Sequence, residues 1–298
     1  MSTLEKYLRP DVIRQVERLD LRARFIVEGF LSGLHASPNH GFSVEFSEHR
    51  KYNPGDDIKD IDWNVYAKTE KYYVKKFQAE TNMSGWMVLD SSGSMGWTFR
   101  QQMTKFEYSV SLAAALAYLM IRQQDPVGLA IFNDKIHQSL PPKSKRSHLG
   151  AMLSLLGGLK PGGVSNPGAA LRQLQPLMRQ KSLVMLFSDM LTETEPVIDG
   201  LRRLRFAGHE VIVFHVLDEA EIRFPFDHLT EFHDVETTDK MTIDARAVRA
   251  DYIATMEAFR KELGEELGRS NIDYVPMDTS VNFDKALMGY LQQRQHRC

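Results

Sequence analysis

After Asn82 the chain alternates short apolar runs with longer segments in which apolar residues recur every three or four positions. The apolar runs predict strands at 86–89, 127–132, 183–187, 210–216 and 273–277. The periodic segments predict helices at 102–123, 146–157, 167–178, 195–205, 244–268 and beyond 281. Alternating strands and helices predict an α/β fold, in which a doubly wound, mainly parallel sheet carries helices on both faces.

The residues before Met83 follow a different pattern. Helical periodicity covers residues 10–34, partial alternation predicts strands at 42–52 and 72–78, and a Pro-Gly turn at 53–56 separates them. Short hairpins are rarely stable alone, so we expect these strands to lie beside the larger sheet.

This change of pattern divides the chain into two parts. Residues 1–82 form an N-terminal segment of helix plus hairpin, and residues 83–298 form an α/β domain with C-terminal helices. The sequence leaves open whether the first segment folds independently.

Composition excludes several classes of protein. The formal net charge of −2 gives no reason to expect a nucleic-acid partner, which is usually indicated by a basic patch. The single cysteine, Cys298, excludes an internal disulfide and a four-cysteine zinc site. The first residues are charged throughout, and no run of about 18 apolar residues occurs, so we expect no membrane span and a cytoplasmic location.

Three loops at the predicted strand ends carry side-chain oxygens. Asp90, Ser92 and Ser94 alternate directly after the 86–89 strand, the loop at 162–167 contains Ser165, and Asp189 follows the 183–187 strand. Ligands of open α/β sheets bind beyond the carboxyl ends of the strands, so these loops are the candidate site.

Carboxylates combined with hydroxyls suit a hard cation, with Mg²⁺ expected and Mn²⁺ or Ca²⁺ as alternatives. The loops contain no histidine or cysteine, which argues against zinc. Because serine hydroxyls are neutral, a bound cation would keep enough charge to attract a carboxylate from a partner protein. We expect Gly93 to let the backbone turn sharply, so that the flanking side chains face one point.

The spacing of Asp90, Ser92 and Ser94 resembles the first loop of the metal-ion-dependent adhesion site in von Willebrand factor A domains. Asp189 matches the later aspartate loop of that family. Counting back from the Gly-Ala-Ala-Leu at 168–171 puts Ser165 at the position of the family's threonine, with Asn166 as the alternative ligand.

Residues 41–63, GFSVEFSEHRKYNPGDDIKDIDW, are similar to the signature of the bacterial family named domain of unknown function fifty-eight. This resemblance implies a protein that works with a MoxR-type AAA+ ATPase in maturing or assembling a client complex. It implies a binding module and not an enzyme, and it names neither the client nor the oligomeric state.

Simpler interpretations of these residues remain. The Asp90 loop could be a capped turn, Asp189 the N-cap of the next helix, and Ser165 an ordinary loop serine. Three acidic residues of the signature could form a second metal or acid–base site, although a structural role fits a Pro-Gly-Asp-Asp turn better. These residues are Asp56, Asp57 and Asp62.

Two other functions also remain open. One is a metal-dependent hydrolase or phosphatase with Asp90 as the nucleophile. Against it, the dehalogenase-type pattern needs a second aspartate where this chain has Ser92, and neither a Gly-x-Ser-x-Gly elbow nor a phosphate-binding glycine loop occurs. The other is a structural scaffold whose metal site has no function.

Overall fold

The computed structural model describes residues 44–53, 61–79, 84–101, 103–237 and 239–281. Within these ranges the chain divides into two compact units, residues 44–79 and residues 84–281. The helix predicted at 10–34, most of the turn at 53–56 and the helix predicted beyond 281 lie outside the described residues.

The smaller unit consists of strand β1 (Val44–Lys51), helix α1 (Trp63–Thr69) and strand β2 (Tyr73–Ala79). The two strands pair antiparallel and form a two-stranded sheet of their own. Among the described residues neither strand pairs with the larger sheet, so they add no strands to it. Ile61 bridges to Val74, and both side chains are buried, which ties α1 to the hairpin.

Asp62 has the structural role that the sequence favoured. Its side chain is the N-cap of α1 and accepts hydrogen bonds from the backbone N–H groups of Asn64 at 2.9 Å and Val65 at 3.3 Å. These bonds satisfy donors that the first helical turn leaves unpaired. Asp56 and Asp57 lie outside the described residues.

The larger unit contains eight strands and six helices within its described residues. The strands are β3 (Ser84–Asp90), β4 (Val127–Phe132), β5 (Ile136–Lys143), β6 (Ser182–Ser188), β7 (Glu210–Leu217), β8 (Leu229–His233), β9 (Lys240–Asp244) and β10 (Asp273–Asp278). The helices are α2 (Lys105–Arg122), α3 (Arg146–Gly157), α4 (Pro167–Leu174), α5 (Thr194–Phe206), α6 (Glu219–Arg223) and α7 (Ala245–Arg269). Short 3₁₀ turns lie at Ser94–Gly96 and Gln175–Leu177.

Six strands form one sheet in the order β10-β7-β6-β3-β4-β5. All neighbours run parallel except β5, which pairs antiparallel with β4 at one edge. The central strands β3 and β6 are buried along their whole length, as expected for a parallel sheet covered on both faces. This mixed, mainly parallel sheet confirms the predicted α/β class.

Four elements of the larger unit, three strands and one helix, were not predicted from the sequence pattern. Strand β5 contains Pro141 and Pro142, which remove two backbone donors and are tolerated because β5 is an edge strand. Helix α6 has only five residues, and β8 and β9 form a separate antiparallel hairpin, the β8–β9 hairpin, whose strands are mostly exposed.

Among the described residues, no helix combines the length and the apolar character needed to cross a membrane.

The start of helix α2 gives a test of the fold. Thr104 and Glu107 form a capping box, in which each side chain accepts a hydrogen bond from the other residue's backbone N–H. We expect Thr104→Ala to lower the free energy of unfolding by about 1 kcal/mol, measured by urea denaturation. Thr255→Ala, at an exposed position inside α7, is the control and should change stability far less. Equal losses in the two variants would contradict the capping role.

Candidate metal centre

The parallel pairing of β3 with β6 brings two aspartates to one edge of the sheet. Leu89 pairs with Phe187, so Asp90 at the end of β3 lies level with Ser188 at the end of β6, and Asp189 follows immediately. Asp90 is 0% exposed and Asp189 is 1% exposed. Both carboxylates are therefore buried at the carboxyl ends of the two central strands, where the sequence predicted the site.

Asp90 is held by three donors. Its Oδ1 accepts a hydrogen bond from the backbone N–H of Ser92 at 2.9 Å. Its Oδ2 accepts bonds from the hydroxyls of Ser165 at 2.7 Å and Ser188 at 2.8 Å. Residues from three predicted loops thus converge on one carboxylate. In the part of the chain that the structure describes, no lysine or arginine forms an ion pair with Asp90.

The hydroxyls of Ser92 and Ser94 complete the group. Their oxygens lie 3.1 Å apart, and a hydrogen bond from Ser94 helps to lower the pKa of Asp189. Backbone bonds fasten the two serine loops together, because the N–H of Gly93 donates to Gly163 O at 2.9 Å. All five predicted site residues are therefore brought together.

The reason predicted for Gly93 is wrong. Its backbone has φ −58° and ψ −41°, an ordinary right-handed helical conformation that any residue adopts. A Cβ at this position would lie 3.0 Å from the carbonyl oxygen of Val235 and 3.5 Å from Cγ of Glu236. Gly93 thus makes room for the turn of the β8–β9 hairpin.

The structure also distinguishes between the alternative roles of Asn166, Ser165 and Asp189. Asn166 is the N-cap of α4, and its side-chain oxygen accepts from Ala169 N at 2.9 Å, so this oxygen faces the helix. Ser165 is the residue that reaches Asp90. Asp189 is not the N-cap of the next helix, since α5 begins at Thr194 and Glu193 is in the cap position.

A buried ion-pair network compensates Asp189. The ammonium group of Lys105, at the start of α2, donates to Asp189 Oδ2 at 2.7 Å and to Glu221 Oε1 at 2.5 Å. The Lys105 side chain is 0% exposed. The remaining oxygen of Asp189 accepts from the backbone N–H of Leu191 at 3.3 Å. Asp189 is thus neutralised by protein groups, whereas Asp90 is held by neutral donors alone.

The pKa values follow from this difference. Burial, together with repulsion from Asp189, raises the pKa of Asp90 to about 6, against the opposing hydrogen bonds from Ser165 and Ser92. Burial alone would raise the pKa of Asp189, but the charge of Lys105 brings it below its ordinary value. Burial would also lower the pKa of Lys105, yet Asp189 and Glu221 outweigh it and raise that pKa to about 12.

His215, on β7, fixes the backbone beside the site. Its Nε2 lies 2.8 Å from Asp189 O, which can only accept, so Nε2 carries the hydrogen. Its Nδ1 then accepts from the Tyr274 hydroxyl at 2.7 Å. Burial lowers the pKa of His215 to about 4, which keeps the ring neutral and this pattern intact at neutral pH.

Sequence reasoning did not find Lys105, Glu221 or Glu236, which contact the site or its ion pair. Ser188 was recognised in the loop that carries Asp189, but its bond to Asp90 was not predicted. Lys105 gave no usable signal in the sequence, because α2 is buried on nearly all sides and its periodicity does not distinguish one face. Glu221 and Glu236 belong to the two short elements that the pattern did not reveal.

The donor set fits a hard divalent cation. The hydrogen bonds to the Asp90 carboxylate come from uncharged groups, which leaves its negative charge available to a cation. The described residues contain no group of three or more His, Cys, Asp and Glu suited to a metal, so a cation bound here would take most of its protein ligands from hydroxyls. Oxygen-only ligands of this kind suit Mg²⁺ and not Zn²⁺.

Removal of Lys105 should destabilise the fold strongly. Lys105→Met leaves the buried carboxylate of Asp189 without its cation, and such a loss typically costs about 3–5 kcal/mol. The measurement is urea denaturation at neutral pH. Lys240→Met, which removes a mostly exposed lysine from β9, should cost well under about 1 kcal/mol. Equal stability of the two variants would show that the buried pair contributes nothing.

Asp90→Asn should stabilise the metal-free protein. The pKa of Asp90 is 3.8 ordinarily and about 6 in the fold, so ionisation is harder in the folded state. The wild type therefore loses stability relative to the variant as pH rises from about 4 to about 6, by about 2 kcal/mol in all. The measurement is chemical denaturation in EDTA across this pH range.

Asp199→Asn, which removes a charge from an exposed position on α5, is the matched control. A pH-independent difference between wild type and Asp90→Asn would refute the raised pKa.

The chain is similar in sequence to proteins that it matches over most of their length. Uncharacterized proteins from Mycobacterium tuberculosis and Mycobacterium bovis are 28% identical to it over 265 residues, which cover 87% of this chain and 82% of theirs. The crystal structure of BatB from Bacteroides thetaiotaomicron aligns with 72% of this chain and 99% of its own, at TM-score 0.48 and 16% identity. The PilB minor pilin from Streptococcus sanguinis aligns with 76% and 65%, at TM-score 0.38 and 12% identity.

The family model described as "Protein of unknown function DUF58" matches residues 48–262, more than half of the chain. This match covers residues 48–63 of the signature segment, both aspartate loops and most of α7. The observed sheet, with its antiparallel edge strand and flanking helices, is consistent with a von Willebrand A-like fold. The protein belongs to the DUF58 family.

Proposed function

We propose that this protein is a metal-dependent protein–protein interaction module. Mg²⁺ would be held by Asp90, Ser92, Ser94, Ser165 and Asp189. The observation that carries the proposal is the state of Asp90, a fully buried carboxylate among three donors without a cationic partner in the described structure. Uncompensated buried charge is costly, and a bound cation would remove that cost.

The surroundings support binding of a partner. A bound Mg²⁺ supplies positive charge and an open coordination position, which a carboxylate from another protein can take. The protein's own residues limit how far that charge is cancelled. Lys105 neutralises Asp189, and the hydroxyls of the three serines are uncharged. Many negatively charged ligands would cancel the charge of the metal and weaken its attraction for a partner carboxylate. Here the protein groups around the metal carry little net negative charge.

The family suggests the kind of partner. The resemblance to DUF58 proteins favours a MoxR-type AAA+ ATPase together with a client complex that the pair matures or assembles. The carboxylate that binds the metal would belong to one of these proteins.

The alternative in which Asp90 is a hydrolytic nucleophile has less support. Its carboxylate is 0% exposed, and both oxygens accept hydrogen bonds that would have to break before attack on a substrate. The scaffold alternative has one observation in its favour. The ion pair of Lys105 with Asp189 already neutralises one of the two aspartates. The scaffold hypothesis predicts no affinity for divalent cations.

Metal binding should be visible as added stability. A ligand present at about 100 times its Kd stabilises the folded state by about 2.7 kcal/mol. We expect MgCl₂ to raise the Tm of the wild type and of Asp199→Asn, and to leave the Tm of Asp90→Asn unchanged. Isothermal titration with MgCl₂, MnCl₂ and CaCl₂ then ranks the cations. An equal Tm rise in Asp90→Asn would exclude Asp90 as a ligand, and no rise in any variant would support the scaffold.

Partner binding should depend on the same residues. We expect the tagged wild type to retain a MoxR-type ATPase or its client from bacterial lysate in Mg²⁺ and to release it in EDTA. Asp90→Ala and Asp189→Ala should lose this retention, because they remove the carboxylates of the site. Mass spectrometry of the captured proteins is the measurement. Identical captured proteins in Mg²⁺ and EDTA would show that the metal site does not govern recognition.

A further inference from the structure

A carboxylate of the protein itself lies at the candidate metal centre. Glu236, in the turn of the β8–β9 hairpin, accepts hydrogen bonds from two loops of the site with its two oxygens. Oε1 accepts from the backbone N–H of Ser94 at 3.3 Å, and Oε2 accepts from the backbone N–H of Ser165 at 3.0 Å. The two donors come from loops that are 71 residues apart in the sequence and that converge on Asp90.

We propose that the N–H groups of Ser94 and Ser165 form a carboxylate-binding subsite, which Glu236 occupies until an acidic side chain of a partner protein displaces it. The partner residue would be an aspartate or glutamate on an exposed loop, since only a protruding carboxylate reaches both donors. The inference rests on the proposed function, because it assigns the partner's carboxylate to the same site.

Contacts on two sides hold the turn that carries Glu236. The Asp234 side chain accepts from the backbone N–H of Glu236 at 2.7 Å and of Thr237 at 3.3 Å, which fixes the turn locally. On the opposite side, Gly93 provides the space into which Val235 O and Glu236 Cγ fit. Glycine at 93 is thus explained by the seating of this turn, since its backbone conformation does not require glycine.

The hairpin is suited to leaving the site. β8 and β9 form a two-stranded sheet separate from the main sheet, and two-stranded hairpins are marginally stable alone. It is anchored close to its turn, at the Phe232–Met241 pair, where Phe232 packs against Phe224 and Phe226. Most of its remaining residues are exposed, including Leu229, Val235 and Met241, which are 74%, 54% and 61% exposed. Withdrawal of Glu236 from the two N–H groups therefore breaks few contacts and leaves the Phe232 anchor in place.

The test uses acetate as a carboxylate probe on the full-length protein. Amide ¹⁵N shifts of Ser94 and Ser165 are followed during titration with sodium acetate, with sodium chloride as the control salt, once in Mg²⁺ and once in EDTA. The proteins compared are the wild type, Glu236→Ala, Glu236→Gln and Glu231→Ala. Glu231 is a glutamate of β8 that pairs with His233 and Lys240, so its variant removes the same charge without touching the site.

We expect acetate to saturate both amides of Glu236→Ala at a concentration at least about tenfold lower than in the wild type. This follows if Glu236 leaves the subsite free in about a tenth of molecules or fewer. Glu236→Gln should be intermediate, because its amide offers one acceptor and turns a donor toward the second N–H. Glu231→Ala should match the wild type.

Two outcomes would overturn the inference: equal titration of the wild type and Glu236→Ala, or no acetate response at Ser94 and Ser165 in either. The metal hypothesis is judged separately in the same samples. Mg²⁺-induced shifts without an acetate gain in Glu236→Ala would leave the metal site standing and refute the subsite. An acetate gain without any Mg²⁺ effect would support the subsite and refute the metal.

Discussion

Repulsion between buried carboxylates organises this end of the protein. Because β3 and β6 are parallel neighbours, Asp90 and Asp189 must end at the same edge of the sheet, inside a region from which water is excluded. Lys105 forms ion pairs with Asp189 and Glu221, so two of the three carboxylates share its ammonium group. The negative charge of Asp90 has no cationic partner among the described residues, and burial together with repulsion from Asp189 raises the pKa of Asp90. The serine loops, helix α2 and helix α6 all meet where this charge has to be accommodated.

The sheet and the aspartate loops could be predicted because they depend on local patterns. Runs such as 127–132 are apolar at every position, and a helix-strand alternation forces their carboxyl ends together, which places Asp90 near Asp189 without any knowledge of side chains. Strand β5 could not be predicted in this way. Its two prolines argue against a strand, and only its position at the sheet edge makes them acceptable.

The partners of the site depend on contacts between residues far apart in the sequence, which no local pattern encodes. Lys105 and Asp189 are 84 positions apart, and Glu236 contacts Ser94 across 142 positions. The role of Gly93 also depends on contacts that are distant in the sequence. The sequence shows a glycine in the metal loop, but two different requirements select glycine: a backbone turn and the close approach of neighbouring atoms. Only the neighbouring Val235 and Glu236 show which of the two applies.

Because Glu236 occupies the carboxylate-binding subsite, a partner must bind more tightly than Glu236 to displace it. A tethered ligand acts at an effective concentration on the order of millimolar, so a free carboxylate of equal affinity cannot compete from micromolar solution. A successful partner must add contacts that Glu236 lacks, and the exposed apolar residues of the released hairpin are one surface that could supply them. A cation at Asp90 would favour the internal and the external carboxylate alike. The metal would therefore set the strength of binding, and the contacts around the carboxylate would set its specificity.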